Sequence, residues 1–183
     1  MPTLYVETSI VSYLRGRPSG QVVAAARQLL TQQWWAAERS NYELVTSQYV
    51  LDEAADGDSA LAQRRLEALT GVPILPIEEA ILEIAEEILR KAILPRSASV
   101  DALHIAMVAH HHVDYLLTWN CTHIANARIL PKVFDVLDRA GLARPIICTP
   151  EELLNDDAEI SSSRHDDRRH SRYPATHRRK VWA

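Results

Sequence analysis

Short apolar runs alternate along most of the chain with longer stretches in which apolar side chains recur every three or four positions. The clearest apolar runs are Leu4-Tyr5-Val6 and residues 115–119, and both predict buried strands. The clearest helical periodicities cover residues 21–39 and 78–93. Because strands and helices alternate, the pattern predicts an α/β fold, a three-layer sandwich with a central parallel sheet flanked by helices.

Weaker signals complete the predicted set of elements. Further strands are expected at residues 43–47, 72–76 and 146–149, and further helices at residues 10–14, 48–55, 60–69, 100–111 and 126–139. The strand at 72–76 contains Pro73 and Pro76, which have no N–H to donate to a sheet ladder. We therefore expect this strand at an edge of the sheet.

The apolar pattern ends near Leu154 and divides the chain into two regions. Residues 1–154 form one predicted domain, and residues 155–183 form a polar, basic tail that we expect to be disordered. Residues 1–160 carry 13 basic and 22 acidic side chains, whereas residues 161–183 carry 7 and 2. An acidic body argues against a protein that coats nucleic acid, but it suits a nuclease whose metal ions supply positive charge. For the tail, contact with RNA and an inert solvated extension both stay open.

The sequence favours a cytoplasmic protein that does not cross a membrane. No signal-peptide pattern is present, and no apolar run approaches the ~20 residues that a membrane helix needs. The two cysteines, Cys121 and Cys148, lack the close spacing of a metal or redox motif, so we expect free thiols. A disulfide between them stays open at this stage.

Four residues with side-chain oxygen atoms occupy positions typical of an active site. Glu7 and Asn120 follow the two clearest strands, while Asp101 lies in the first turn of one predicted helix and Glu53 in the second turn of another. Reactive groups collect outside the carboxyl ends of parallel strands, so we expect the four side chains to converge. Hard cations such as Mg²⁺ and Mn²⁺ prefer oxygen ligands, and two of them can clamp the attacking and leaving oxygens of a phosphodiester.

Each of these residues also has an ordinary structural role. Asp101 would stabilise a helix dipole, Glu53 would suit a solvated helix face, and Asn120 is a common turn former. Thr8 and Ser9 either bind a ligand water or a phosphate oxygen, or cap the helix that follows them. Only the combination of these residues indicates a metal site.

Two histidines are weaker candidates. His104 lies three residues after Asp101 on the same predicted helix face, where a packed or hydrogen-bonded histidine is more common than a ligand. His123 follows Asn120 closely enough to touch a substrate. We group both histidines with the two hydroxyl residues as positions that contact substrate or support the metal ligands.

Four sequence words resemble the motif blocks of PIN-domain ribonucleases, and most closely those of VapC-type toxins of type II toxin–antitoxin pairs. They are residues 4–9 (Leu-Tyr-Val-Glu-Thr-Ser), 47–53 (Ser-Gln-Tyr-Val-Leu-Asp-Glu), 101–106 (Asp-Ala-Leu-His-Ile-Ala) and 114–120 (Asp-Tyr-Leu-Leu-Thr-Trp-Asn). The words occur in the family's order and spacing, and the resemblance covers about residues 3–154.

This resemblance implies a Mg²⁺- or Mn²⁺-dependent endoribonuclease with an RNA substrate. It implies that Glu7, Glu53, Asp101 and Asn120 are catalytic residues and metal ligands, and that cleavage leaves a 3′-hydroxyl and a 5′-phosphate. It also implies that the protein is often a homodimer and is held inactive by an antitoxin protein that lies across the active site.

Two residues depart from the family pattern, since Glu7 and Asn120 stand where aspartate is usual. Asn120 keeps a carbonyl oxygen but loses a charge, so only three carboxylates remain and a second metal ion should bind more weakly. Whether one or two ions bind stays open. The alternative function is a catalytically weakened PIN-fold module that binds RNA or protein.

Other classes of α/β protein fit less well. A phosphoacceptor receiver domain also gathers acids over a parallel sheet, but here no aspartate ends the central strand in the required place and no lysine ends the last strand. Dehydrogenases and kinases are disfavoured because neither Gly-x-Gly-x-x-Gly nor a P-loop occurs among the five glycines.

Overall fold

A five-stranded parallel sheet forms the centre of the computed structural model, which describes residues 1–91 and 94–154. The strands are β1 Thr3–Val6, β2 Glu43–Ser47, β3 Ile74–Leu75, β4 Tyr115–Leu117 and β5 Ile146–Cys148. They lie in the order β3-β2-β1-β4-β5, and every neighbouring pair is parallel.

Seven α-helices flank this sheet in the part of the chain that the structure describes. They are α1 Thr8–Arg15, α2 Val22–Ala37, α3 Gln48–Ala55, α4 Ser59–Ala68, α5 Glu79–Arg90, α6 Ser99–His110 and α7 Leu130–Arg139. Helices α1 to α4 contact one another, and α5 contacts both α6 and α7. Right-handed crossovers place these two groups on opposite faces, because the chain moves outward from β1 to β3 and then returns across the sheet to β4. The predicted three-layer α/β sandwich is confirmed.

The central strand is buried on both faces, as parallel sheets with helices on either side require. Leu4, Tyr5 and Val6 of β1 are fully buried, and so are Leu116 and Leu117 of β4. This burial explains why both strands are continuous apolar runs in the sequence. β3 lies at an edge of the sheet, as its two flanking prolines predicted.

Most differences from the predicted elements occur at their ends. Helix α1 begins at Thr8, two residues earlier than expected, because the side chain of Glu7 caps it. β4 ends at Leu117, because the N–H of Trp119 donates to a side chain instead of a neighbouring strand. Helix α7 begins at Leu130 and not at residue 126, with Pro131 in its first turn where no N–H is needed.

Three further predictions concern features outside the sheet. The described residues contain no helix long and apolar enough to cross a membrane. Cys121 is an exposed free thiol and Cys148 a buried one, so the open question of a disulfide is answered. The predicted tail at 155–183 lies outside the described residues, as does the predicted end of a helix at residue 93.

The strand order also fixes where a ligand can bind. From β1 the chain proceeds to β2 on one side, whereas β4 pairs with β1 on the other side. The boundary between β1 and β4 is therefore the topological switch point, and open α/β sheets bind ligands outside the carboxyl ends of the strands at this point.

A hydrogen-bonded pair at the opposite end of the same two strands holds them in register. The carboxylate of Asp114 accepts from the backbone N–H of Thr3 at 2.8 Å and from its hydroxyl at 2.9 Å, and the Asp114 N–H contacts the same hydroxyl oxygen at 3.0 Å. The bond from the Thr3 N–H, followed by that from the Thr3 hydroxyl, holds the pKa of Asp114 below its usual value.

We expect Asp114→Ala to lower the free energy of unfolding at pH 7 by about 0.5–1 kcal/mol, a discounted value because the pair is exposed to solvent. The wild-type contribution is fully present above the unfolded pKa of about 3.9 and is lost as the pH falls through the depressed folded pKa. Urea denaturation at pH 7 and at about pH 3 should show a difference that shrinks in acid. Asp114→Asn keeps an acceptor for the Thr3 N–H and serves as the matched control. A difference of the same size at both pH values would contradict the assignment.

Candidate active site

Glu7 stands at the switch point, directly after β1, and is only 6% exposed. Its Oε2 atom accepts hydrogen bonds from the Ser9 N–H at 3.1 Å, from the Ser9 hydroxyl, and from the Thr118 hydroxyl at 2.8 Å. The first of these bonds is the N-cap of α1, so the capping role left open for Thr8 and Ser9 belongs to Glu7. With the described residues, Glu7 makes no hydrogen bond through Oε1, which leaves that atom for a ligand.

Thr118 connects Glu7 to the chain that follows β4. Its Oγ1 donates to Glu7 and accepts from the Asn120 N–H at 2.9 Å. The Trp119 N–H donates to the Ser9 hydroxyl oxygen at 2.8 Å. These side-chain bonds replace the backbone bonds beyond the end of the ladder between β1 and β4. They hold the first turn of α1 against the segment after β4.

Glu53 reaches the same edge of the sheet from α3, and its side chain is 41% exposed. Its Oε2 accepts from the Thr8 hydroxyl at 2.5 Å and lies 3.4 Å from Nε2 of His104. The hydrogen bond to His104, together with that from Thr8, lowers the pKa of Glu53 although partial burial opposes the shift. Glu53 is therefore ionised at neutral pH.

His104 projects from α6 and is 1% exposed. Its Nδ1 atom lies 2.7 Å from the hydroxyl oxygen of Tyr5, which lies 2.6 Å from the hydroxyl oxygen of Ser47. Burial raises the pKa of Tyr5, so its hydroxyl stays protonated. One helix and the two neighbouring strands β1 and β2 thus contribute to a buried polar chain that ends at Glu53.

Glu7, Glu53 and His104 each offer one ligand atom, and these atoms lie within 4.8 Å of one another. No other three acidic, histidine or cysteine side chains meet this condition within residues 1–91 and 94–154. Two carboxylates and one imidazole form a donor set that divalent metal ions accept in proteins. The chemistry of this group therefore fits a divalent metal ion.

A second group lies beyond Thr118. Asp101 accepts from the side-chain amide of Asn120 at 2.9 Å through Oδ1, and its Oδ2 lies 2.8 Å from Nδ1 of His123. The carbonyl oxygen of Asn120 accepts from the His123 N–H at 3.0 Å. Asp101, Asn120 and His123 thereby form a closed hydrogen-bonded triangle, and Thr118 connects it to Glu7 through the Asn120 N–H.

The eight predicted site residues consequently lie in two neighbouring groups at one edge of the sheet. In the first group Ser9 is hydrogen-bonded to Glu7, Thr8 and His104 contact Glu53, and the ligand atoms of Glu7, Glu53 and His104 lie close together. The second group is the hydrogen-bonded triangle of Asp101, Asn120 and His123. In the described part of the chain, Asp101 belongs to no set of three ligand atoms within 4.8 Å, so it does not join Glu7 and Glu53 as closely as expected. The catalytic and metal-binding roles of all eight residues stay predictions.

Three residues of the site were not singled out from the sequence: Tyr5, Ser47 and Thr118. All three lie inside the four sequence words, and all are buried in the structure. A buried hydroxyl needs a hydrogen-bond partner, so a tyrosine within an apolar strand and hydroxyl residues at strand ends were available signals.

The fold and the site together define a class of protein: an α/β protein whose topological switch point carries side chains that suit a divalent metal ion. Comparison with known families supports this class, because the family model described as "PIN domain" matches residues 4–120. The match covers more than half of the chain, and the chain belongs to the PIN-domain family, whose members are generally metal-dependent nucleases. Comparisons with curated proteins and with solved structures gave no match.

We expect Thr118→Val to destabilise the protein by about 1.5–3 kcal/mol, because it removes a donor to the buried Glu7 carboxylate and an acceptor for the Asn120 N–H. Urea denaturation at pH 7 measures the effect. Thr118→Ser keeps the hydroxyl and is the matched control, which should lose clearly less stability than the valine variant. Equal losses in the two variants would show that the hydroxyl has no such role.

Proposed function

We propose that this protein is a Mg²⁺- or Mn²⁺-dependent endoribonuclease and the toxin of a VapBC-type toxin–antitoxin pair. Glu7, Glu53 and Asp101 supply the three carboxylates of its active site. Asn120 orients Asp101 through its amide nitrogen and keeps a second lone pair on its carbonyl oxygen for a bound ion or water. Thr8, Ser9 and His123 fix the acidic side chains and face the substrate.

Uncompensated negative charge is the observation that carries this proposal. Among the described residues, Glu7, Glu53 and Asp101 form no ion pair with lysine or arginine, and the only basic side chains that contact them are the imidazoles of His104 and His123. An RNA backbone is itself negatively charged, so it cannot approach three carboxylates unless a cation lies between them. A PIN domain with this arrangement therefore requires a divalent ion for binding and for cleavage.

The residues present suit that chemistry. A divalent ion would supply an activated water and stabilise charge on the phosphoryl oxygens. Glu53 is ionised at neutral pH and hydrogen-bonded to Thr8, which holds its carboxylate in place. Glu7 is fixed by its three hydrogen bonds, so little reorganisation of this ligand is needed during the reaction.

The finer parts of the proposal rest on the motif resemblance. The toxin role, the antitoxin that covers the active site and the homodimer follow from the four sequence words and their spacing. The choice of RNA over DNA has the same support.

One observation favours the alternative, a catalytically weakened PIN module that binds RNA or protein. Both polar atoms of the Asn120 amide are engaged, one with Asp101 and the other with the His123 N–H. An amide held in this way adds no charge to the site, so an ion on this side would be bound weakly.

Cleavage of a mixed RNA in the presence of Mn²⁺ tests the nuclease proposal. Glu7→Gln and Asp101→Asn should each lower the rate by about 100-fold or more, because each removes a charge from the site. Asp135→Asn removes an exposed carboxylate from α7 and is the matched control, with an expected rate equal to that of wild type. Equal rates for wild type and Asp101→Asn would refute the proposed mechanism.

Isothermal titration calorimetry separates the two functions. A nuclease should bind Mn²⁺ with a dissociation constant that rises at least about tenfold in Glu7→Gln. A non-catalytic module should bind RNA or a partner protein without Mn²⁺. Its affinity for that RNA or protein should be the same in the wild type and in Glu7→Gln.

A further inference from the structure

His104 lies in the group that fits a divalent ion but has no role in the function proposed above, yet it is the most deeply buried of the three potential ligands in that group. Its Nε2 atom faces Glu53, and the Glu7 carboxylate completes the same group within 4.8 Å. His104 is packed and hydrogen-bonded, as the sequence suggested, and one of its ring nitrogens is directed toward the acidic edge of the sheet.

The distance between Nε2 of His104 and Oε2 of Glu53 is informative. At 3.4 Å it is longer than an ordinary N–H···O hydrogen bond, whose donor and acceptor lie about 2.7–3.2 Å apart. Two ligand atoms that each lie about 2.1 Å from one ion at tetrahedral or octahedral angles are separated by about 3.0–3.4 Å. The pair is therefore spaced as two ligands of one ion would be.

The other face of the ring supplies the support that a ligand histidine needs. A metal-binding histidine usually donates its second ring N–H to a fixed acceptor, which sets the tautomer and the orientation of the ring. Here Nδ1 lies 2.7 Å from the Tyr5 hydroxyl, which can accept that proton while donating its own to Ser47 at 2.6 Å. Binding of an ion requires this tautomer, in which the lone pair of His104 is on Nε2 and directed at the site, whereas the hydrogen bond to Glu53 uses the opposite tautomer with Nε2–H.

We propose that His104 is a direct metal ligand through Nε2, so that the site combines nitrogen and oxygen ligands and prefers Mn²⁺ and later divalent transition metals to Mg²⁺. The inference rests on the proposed function and deepens it by naming the ligand set. Imidazole suits transition metals, whereas Mg²⁺ favours oxygen ligands alone, so the nitrogen ligand sets the preference. Tyr5 and Ser47 act as positioning residues that orient the ring.

Pulsed electron paramagnetic resonance of the Mn²⁺-loaded full-length protein tests this ligand directly. A bound imidazole nitrogen produces ¹⁴N modulation of the Mn²⁺ signal, and labelling of all histidines with ¹⁵N should change its frequency in the wild-type protein. His104→Gln should remove the modulation. His123→Gln is the matched control, because His123 contacts Asp101 in the other group, and it should retain the modulation.

Calorimetry adds a measurement that does not depend on the spectrum. His104→Gln should weaken Mn²⁺ binding by about tenfold or more and leave Mg²⁺ binding within about threefold, because only the nitrogen ligand is lost. Tyr5→Phe keeps the imidazole but removes its hydrogen-bond partner, so it should weaken Mn²⁺ binding by about tenfold while the ¹⁴N modulation persists. This variant also tests the inference if His104→Gln does not fold.

Failure of this inference can be distinguished from failure of the proposed function. If wild-type protein binds Mn²⁺ and cleaves RNA without histidine modulation, His104 is a structural residue and the nuclease proposal stands. Modulation that disappears in His123→Gln but persists in His104→Gln would also overturn the inference. Binding of Mg²⁺ without binding of Mn²⁺ would overturn the inference alone, and if the folded wild-type protein binds neither ion, both proposals are wrong.

Discussion

A buried carboxylate at the end of the central strand is the constraint on which the rest of the site depends. Placing a charge in the interior is costly unless hydrogen bonds or an opposite charge compensate it. Glu7 receives three hydrogen bonds, from the first turn of α1 and from the residue after β4. The two Ser9 donors are local, but the Thr118 hydroxyl can reach Glu7 only if β1 and β4 are adjacent and in the observed register, so this bond and the sheet topology stabilise one another.

The position of that carboxylate also explains why the remaining site residues assemble around it. β1 and β4 meet at the topological switch point, where open α/β sheets form a crevice outside the carboxyl ends of the strands. Helix α3 follows β2 and brings Glu53 to this edge, while α6 precedes β4 and brings both Asp101 and His104. The site is thus built from elements that are distant in sequence but are brought together by the strand order.

The two neighbouring groups of site residues are held together in different ways. Glu7, Glu53 and His104 form a compact set of ligand atoms, whereas Asp101 is held by Asn120 and His123. Thr118 links the two groups, because its hydroxyl donates to Glu7 and accepts from the Asn120 N–H. Since the described residues give these carboxylates no lysine or arginine partner, positive charge beside a negatively charged ligand would have to come from a bound ion.

The sequence by itself determined the elements and most of the chemistry. Continuous apolar strands, helical periodicity and two prolines were enough for the sheet, the helices and one edge strand, because burial on both faces and a missing N–H are local requirements. The four sequence words likewise predicted the family, and they contain seven of the eight predicted site residues, the exception being His123.

Only the tertiary structure decided how these residues are paired. Asn120 bonds to Asp101 and His104 turns toward Glu53, and these contacts join residues 19 and 51 positions apart. Tyr5 meets His104 across 99 positions, and Thr118 meets Glu7 across 111. No local pattern encodes such contacts, because a hydroxyl or an imidazole finds its partner only after the sheet has set which strands are neighbours.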